Sequence, residues 1–296
     1  EGLSKNFQYI VTPNARDVAS GLVDGYRTGI HSFTIIGSYG TGKSSFLLAL
    51  EKDLQSNGSY SLLNPQTLSA KVKFDGLKIV GDYKDFVSLM RDKLSVDGTA
   101  DNVLDRLREI YNQAKKQGKF LVIFIDEFGK VLEHAAKNNP EQELYFMQKL
   151  AEFVNVPTRQ ILLVTTLHQN FSAYARRLSA LQKEEWTKVK GRFKELVFIE
   201  PVEQLLYLAS TQLNAKNDVG VRAEYMEKLC QLAKTTKFVS DSFTSTTANA
   251  LYPLEPFSAY AITQAIQRYG QNERSLFSFL SAKAVSYTHL RAHETR

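Results

Sequence analysis

Eight consecutive residues starting at Gly37 have the types and spacing of a phosphate-binding loop. They read Gly37-Ser38-Tyr39-Gly40-Thr41-Gly42-Lys43-Ser44 and fit the pattern G-x-x-x-x-G-K-[ST]. Glycines let backbone N–H groups wrap closely round a phosphate chain, with the amino terminus of a helix behind them. Lys43 would then reach the β- and γ-phosphates, and the Ser44 hydroxyl would hold Mg²⁺. The pattern therefore predicts binding of a nucleoside triphosphate.

The residues on either side of this loop predict a strand before it and a helix after it. Residues 31–36 are mostly β-branched or aromatic, which favours a buried strand. Residues 45–54 have a helical pattern, so the loop opens directly into a predicted helix. The predicted nucleotide-binding residues here are Gly37, Ser38, Tyr39, Gly40, Thr41, Gly42, Lys43, Ser44 and Ser45.

A second motif follows a continuous apolar run. Residues 120–125 are all apolar, as expected of a central parallel strand covered on both faces, and Asp126 and Glu127 come next. A carboxylate at the end of such a strand can bind the Mg²⁺ that bridges the phosphates. A carboxylate one residue later points elsewhere and can polarise the attacking water. We therefore predict Asp126 as the metal-side residue and Glu127 as the general base.

The paired acids favour ATP hydrolysis over GTP switching or phosphoryl transfer to a small acceptor. The guanine-reading pattern N-K-x-D is missing, since its nearest match at residues 215–218 begins with alanine. The sequence therefore predicts an ATPase that uses ATP and Mg²⁺.

Composition agrees with a packed enzyme domain. The 296 residues are 43% hydrophobic, and no apolar stretch approaches the roughly 18 residues of a membrane span. No signal peptide is visible, and the lone Cys230 lies in a helical pattern as a core residue, so we expect a cytoplasmic protein. The net charge of +6 permits nucleic-acid contact without showing it.

Alternating strands and helices predict an α/β fold, a P-loop NTPase three-layer sandwich with a parallel sheet followed by a small helical lid. We expect the ATPase core over residues 1–200, the lid over residues 201–283 and a non-native tail over residues 284–296. Further strands are predicted at 77–81 (with 71–74 competing), 161–166 and 196–199. Helices are predicted at 15–26, 83–94, 102–117, 141–154, 201–213, 221–234, 257–269 and 273–282.

Over residues 6–283 this order of parts resembles the AAA+ branch of P-loop ATPases. The resemblance implies a polar residue near the γ-phosphate at the end of the next core strand. Thr166 is the first choice, followed by His168 and Gln169. A hydroxyl that merely caps the strand end is the alternative for Thr166.

The same resemblance implies two arginines that contact phosphate. Arg192, just before the last core strand, would reach the γ-phosphate of a neighbouring subunit, which implies a homo-oligomer. Arg274, in the lid, would contact the nucleotide bound by its own chain. A solvated basic loop is the alternative for Arg192, and a helix-surface ion pair is the alternative for Arg274.

Three short strings resemble the ATP-binding region of large bacterial BREX-type ATPases found in phage-defence gene clusters. They are residues 126–130, 190–193 and 271–277. The resemblance implies a module of a larger multidomain or defence complex. ATP turnover could then drive a motor or remodeller, reset a nucleotide-dependent signalling switch, or serve a DNA-associated motor subunit.

Overall fold

A computed structural model of the chain describes residues 9–55, 60–69, 73–213, 220–252 and 254–269. These residues form two compact units. The first comprises residues 9–37 and 42–198, and the second comprises residues 38–41 and 199–269.

The first unit is built on a parallel five-stranded sheet in the order β2-β3-β4-β1-β5. Its strands are β1 (Ser32–Ile36), β2 (Lys73–Val80), β3 (Lys119–Asp126), β4 (Ile161–Leu167) and β5 (Lys194–Val197). All the strands point the same way, so their carboxyl ends share one edge of the sheet, where the phosphate loop and the Asp126–Glu127 pair both follow. Ligands of open parallel sheets bind at that edge.

Helices cover both faces of this sheet. They are α1 (Pro13–Arg27), α2 (Lys43–Gln55), α3 (Phe86–Leu94), α4 (Ala100–Lys116), α5 (Phe128–Lys137), α6 (Pro140–Val154), α7 (Phe171–Tyr174) and α8 (Ala180–Lys190). Strand β3 shows the two-sided burial, because its side chains alternate between two cores. Leu121, Ile123 and Ile125 belong to one core. Phe120, Val122 and Phe124 belong to the other. The predicted α/β three-layer fold is confirmed.

The second unit contains four helices among its described residues: α9 (Val202–Leu213), α10 (Gly220–Thr235), α11 (Ser245–Ala250) and α12 (Pro256–Tyr269). They enclose a core of their own, in which Met226, Cys230 and Phe243 are buried. Burial raises the pKa of the Cys230 thiol, as expected for a structural cysteine in an apolar setting. None of the helices in the described ranges is both long and apolar enough to cross a bilayer.

The structure differs from the sequence prediction in several elements. Helices α5, α7, α8 and α11 were not predicted, and β2 (Lys73–Val80) overlaps both competing candidates for the second strand, at residues 73–74 and 77–80. Strand β5 begins two residues earlier than predicted and ends at Val197. The predicted helix 273–282 and the tail 284–296 lie outside the described residues, so the proposed domain limits stay a prediction.

Candidate nucleotide site

The phosphate loop connects β1 to α2, as the motif requires. Gly40 and Gly42 have φ angles of +74° and +94°, which an L-residue adopts only with strain. The Thr41 hydroxyl donates to the Ser38 carbonyl at 2.9 Å, which closes the loop on itself. Helix α2 starts at Lys43, so Ser44 and Ser45 lie in its first turn. The first backbone N–H groups of a helix point out of its amino terminus and suit an anion.

Lys43 lies within the electrostatic influence of both predicted acids. Its ammonium donates to the Gly37 carbonyl at 2.5 Å. Burial lowers its pKa to about 8, while the carboxylates of Asp126 and Glu127 act in the opposite direction. The fold therefore brings the lysine of the first motif and the acids of the second motif into one site.

Asp126, Glu127 and Thr166 form one hydrogen-bonded cluster. Strands β3 and β4 pair in parallel with Ile125 opposite Thr165, which places Thr166 beside Asp126. The Thr166 hydroxyl donates to Asp126 Oδ1 at 2.6 Å. The Glu127 amide donates to Asp126 Oδ1 at 3.0 Å and to Thr166 Oγ1 at 2.9 Å. Both bonds to the carboxylate fall on Oδ1 and so fix its orientation.

Glu127 sits at a sharp turn from β3 into α5. Its φ of +53° is left-handed, a conformation that costs about 1 kcal/mol or more for a non-glycine residue. Its carboxylate forms an ion pair with Lys130, one turn along α5. The Gly81 amide donates to the Asp126 carbonyl at 2.7 Å, and a Cβ at Gly81 would overlap the Glu127 carbonyl. The loop after β2 therefore holds this turn in place.

The two other candidates for the γ-phosphate contact lie just beyond β4. His168 is half-buried, and its Nδ1 is 3.0 Å from the Tyr174 hydroxyl, while its Nε2 is 3.6 Å from Glu133. Burial lowers the pKa of His168, Lys43 lowers it further and Glu127 opposes them. Gln169 follows in the same loop.

Arg192 lies at the opposite end of the sheet from the phosphate loop of its own chain. Strand β5 pairs with β1 with Lys194 opposite Phe33 and Val197 opposite Ile36, and Arg192 precedes this paired stretch. Extending this register puts Arg192 opposite His31, and at about 3.3 Å per residue it lies roughly 20 Å from Gly37 along the strands. The backbone of Arg192 therefore lies at the end of the sheet away from the phosphate loop of its own chain.

Two features of the site were missed by the sequence reasoning, and one predicted residue lies outside the described part of the chain. The ion pair of Glu127 with Lys130 has the i,i+3 spacing of helix-surface pairs, so the sequence carried a signal for it. The hydrogen bond between Thr166 and Asp126 depends on the register of β3 and β4, which cannot be deduced from the sequence. Arg274 lies outside the described residues, and its contact stays a prediction.

Comparison with known families decides what kind of protein this is. The family model described as "ATPase family associated with various cellular activities (AAA)" matches residues 33–189. That range covers more than half of the 296 residues and includes the phosphate loop, Asp126, Glu127 and Thr166. The chain belongs to the AAA family of ATPases. It is a P-loop nucleoside triphosphate hydrolase.

Several solved structures resemble this AAA ATPase in fold. The Aeropyrum pernix ORC2 protein in its ADPNP-ADP complexes is 14% identical, with a TM-score of 0.47 over 84% of this chain and 70% of that one. PCH-2 of C. elegans is 15% identical, with a TM-score of 0.45 over 94% of this chain and 64% of that one. The Pif1 helicase of Candida albicans is 18% identical, with a TM-score of 0.34 over 75% of this chain and 48% of that one. No curated protein matches the chain in sequence.

Proposed function

We propose that residues 37–45 bind ATP and that Glu127 activates the water that hydrolyses it. One observation carries this proposal: β1 and β3 lie parallel in one sheet, so the phosphate loop with Lys43 and the Asp126–Glu127 pair follow strand ends at the same edge. Lys43 would neutralise phosphate charge. Glu127 would accept a proton from a water molecule while the oxygen of that water attacks the γ-phosphorus. ADP would then be the leaving group.

The residues that would hold Mg²⁺ are Ser44 and Asp126. A hydroxyl and a carboxylate are hard oxygen ligands of the kind that Mg²⁺ prefers, and they accord with a cation shared with substrate phosphates. The hydrogen bonds from Thr166 and the Glu127 amide fix how the Asp126 carboxylate is presented. When bound, the ion would supply positive charge to the β- and γ-phosphate oxygens.

Nucleotide binding is tested by substituting Lys43. Lys43→Ala removes the ammonium that would face the phosphates, so we expect a loss of ATP affinity of at least tenfold, measured by titration with a fluorescent ATP analogue. Lys52→Ala, a lysine farther along the same helix, is the control and should bind like the parent. Equal affinity of the parent and Lys43→Ala would refute the proposal.

We further propose that Arg192 completes the site of a second copy of the chain. Arg192 lies at the end of the sheet away from its own phosphate loop. An arginine that one protein supplies to the nucleotide site of another, called an arginine finger, stabilises the charge of the transition state. Each of the subunits Arg192→Ala and Lys43→Ala should be inactive alone. A mixture should recover ATPase activity, because Arg192 of the Lys43→Ala subunit can serve the intact loop of its neighbour. Failure of the mixture to recover activity would remove the trans role.

A second candidate output, a slow nucleotide-dependent switch, is favoured by a different observation. In the single chain the Glu127 carboxylate is paired with Lys130, and the Arg192 guanidinium is paired with Glu152 at 2.9 Å. Both groups are engaged in ion pairs, which accords with low turnover until a partner docks. A specific ATPase rate that is low and independent of protein concentration would favour the switch. A rate that climbs with concentration would favour a motor or remodeller.

The phage-defence setting is also part of the proposal. It rests on the strings at residues 126–130, 190–193 and 271–277, which resemble BREX-type ATPases. We propose a cytoplasmic module of a larger defence complex, with Arg274 contacting the nucleotide from the lid. Loss of phage resistance in cells that carry Glu127→Gln in the full-length protein would support this setting. Unchanged resistance would contradict it.

A further inference from the structure

Asn155 ties together two strands at the edge of the sheet opposite the nucleotide site. It is the residue directly after α6, and its side-chain amide uses both of its ends. The oxygen accepts hydrogen bonds from the backbone amides of His31 at 2.7 Å and Ser32 at 3.0 Å. The nitrogen donates to Ser32 Oγ at 2.7 Å and to the Arg192 carbonyl at 2.9 Å. One side chain therefore connects the start of β1 to the segment that precedes β5.

The backbone of Arg192 is held twice by this arrangement. Its carbonyl accepts from Asn155 Nδ2 and also from the Ser32 hydroxyl at 2.6 Å. Its guanidinium is held separately, by the Lys188 carbonyl at 2.8 Å and by Glu152 at 2.9 Å. The side chain can therefore leave Glu152 for another anion while the two hydrogen bonds keep its Cα in place.

We propose that Asn155 is a positioning residue for Arg192 in the hydrolysis of ATP bound to a second copy of the chain. The inference rests on the proposed trans role of Arg192. Asn155 touches no phosphate and acts only through the Arg192 backbone. Displacement of a catalytic group by about 1 Å can lower the rate about a hundredfold. Arg192 precedes β5 and is not part of the strand ladder, so the hydrogen bonds to its carbonyl are needed to fix its position.

Asn155→Asp separates this role from general support of the fold. An aspartate keeps the two bonds accepted from β1 but turns the group facing the Arg192 carbonyl from a donor into an acceptor. Ser32→Ala is an independent variant, since it removes the second donor to the same carbonyl. Thr34→Val is the matched control: it removes a buried hydroxyl pair with Thr165 at 3.0 Å in the same strand, away from Arg192.

The experiment uses mixed subunits of the full chain, so that giving and receiving Arg192 are measured separately. Lys43→Ala subunits give the arginine, and Arg192→Ala subunits receive it. Asn155→Asp added to the giving subunit should lower the ATPase activity of the mixture at least tenfold. The same change in the receiving subunit should leave activity within about twofold. Ser32→Ala should act like Asn155→Asp, and Thr34→Val should change neither arrangement.

The outcomes distinguish this inference from the function on which it rests. A mixture of the two parental subunits without activity overturns both the trans role and the inference. An active parental mixture with equal losses from Asn155→Asp on either side overturns the inference alone, because a structural role predicts that symmetry. If Asn155→Asp does not fold, as judged by thermal melting, Ser32→Ala decides by the same comparison.

Discussion

Thr166→Val is the substitution that tests the cluster at the ends of β3 and β4 most selectively. Valine keeps the shape of threonine but lacks the hydroxyl, so Asp126 loses a donor at 2.6 Å and the Glu127 amide loses an acceptor at 2.9 Å. Thr165 is the adjacent residue of the same strand and is equally buried, but its hydroxyl contacts Thr34 and the Phe33 carbonyl instead. Thr165→Val is therefore a matched control.

The size of the expected effect follows from the charge on Asp126. A hydrogen bond to an ionised group contributes about 1.5–3 kcal/mol, roughly twice the value for a neutral pair. If this energy is lost from the transition state alone, the rate falls by about 10- to 150-fold. The Thr165 hydroxyl pairs with neutral groups, and its removal acts on stability, by about 1 kcal/mol.

The assay is steady-state ATP hydrolysis at saturating ATP, combined with thermal melting of each variant. We expect kcat to fall at least tenfold in Thr166→Val and to stay within about twofold of the parent in Thr165→Val. A kcat for Thr166→Val within twofold of the parent would refute the role given to this hydrogen bond. A selective loss of the preference for ATP over ADP would instead identify Thr166 as a direct γ-phosphate contact.

Two further predictions concern Glu143 and Gly81. Glu143 is buried, accepts from the Phe86 amide and hydrogen-bonds Asp85; burial, followed by that hydrogen bond, raises its pKa to about 8. Its protonated form stabilises the fold fully below pH about 4.5, and the contribution is lost as pH rises through about 8. The free energy of unfolding in urea should therefore fall between pH 5 and 8, by at most about 1.4 kcal/mol per pH unit, and Glu143→Gln should flatten this slope; an unchanged slope would contradict the assignment. Gly81→Ala should lower kcat severalfold, because the Cβ of the alanine would displace the Glu127 carbonyl. A kcat equal to that of the parent would show that the loop after β2 moves instead and leaves Glu127 in place.

The fold was largely predictable because its strongest signals are local. Continuous apolar runs gave β3 and β4, and the glycine spacing of the phosphate loop gave the junction of β1 and α2. Helix α5 was missed although Phe128, Val131, Leu132 and Ala135 are all buried at helical spacing.

Other features of the site lie beyond sequence reasoning. The bond between Thr166 and Asp126 depends on the register of two strands separated by 40 positions in the chain. Asn155 belongs to no motif, and its role follows only from the meeting of residues separated by more than a hundred positions. The left-handed turn at Glu127 lies against Gly81, a residue more than 40 positions earlier in the chain. Such contacts follow from tertiary structure rather than from local preference.

The measurement that tests the central claim most directly is ATP binding and single-turnover hydrolysis by the full chain carrying Glu127→Gln. The account predicts that the variant binds ATP as tightly as the parent, since the phosphate loop is unchanged. It also predicts a rate of hydrolysis at least a hundredfold lower, because glutamine cannot accept the proton of the attacking water. A variant that hydrolyses bound ATP at the parental rate would contradict the assignment of Glu127 as the base.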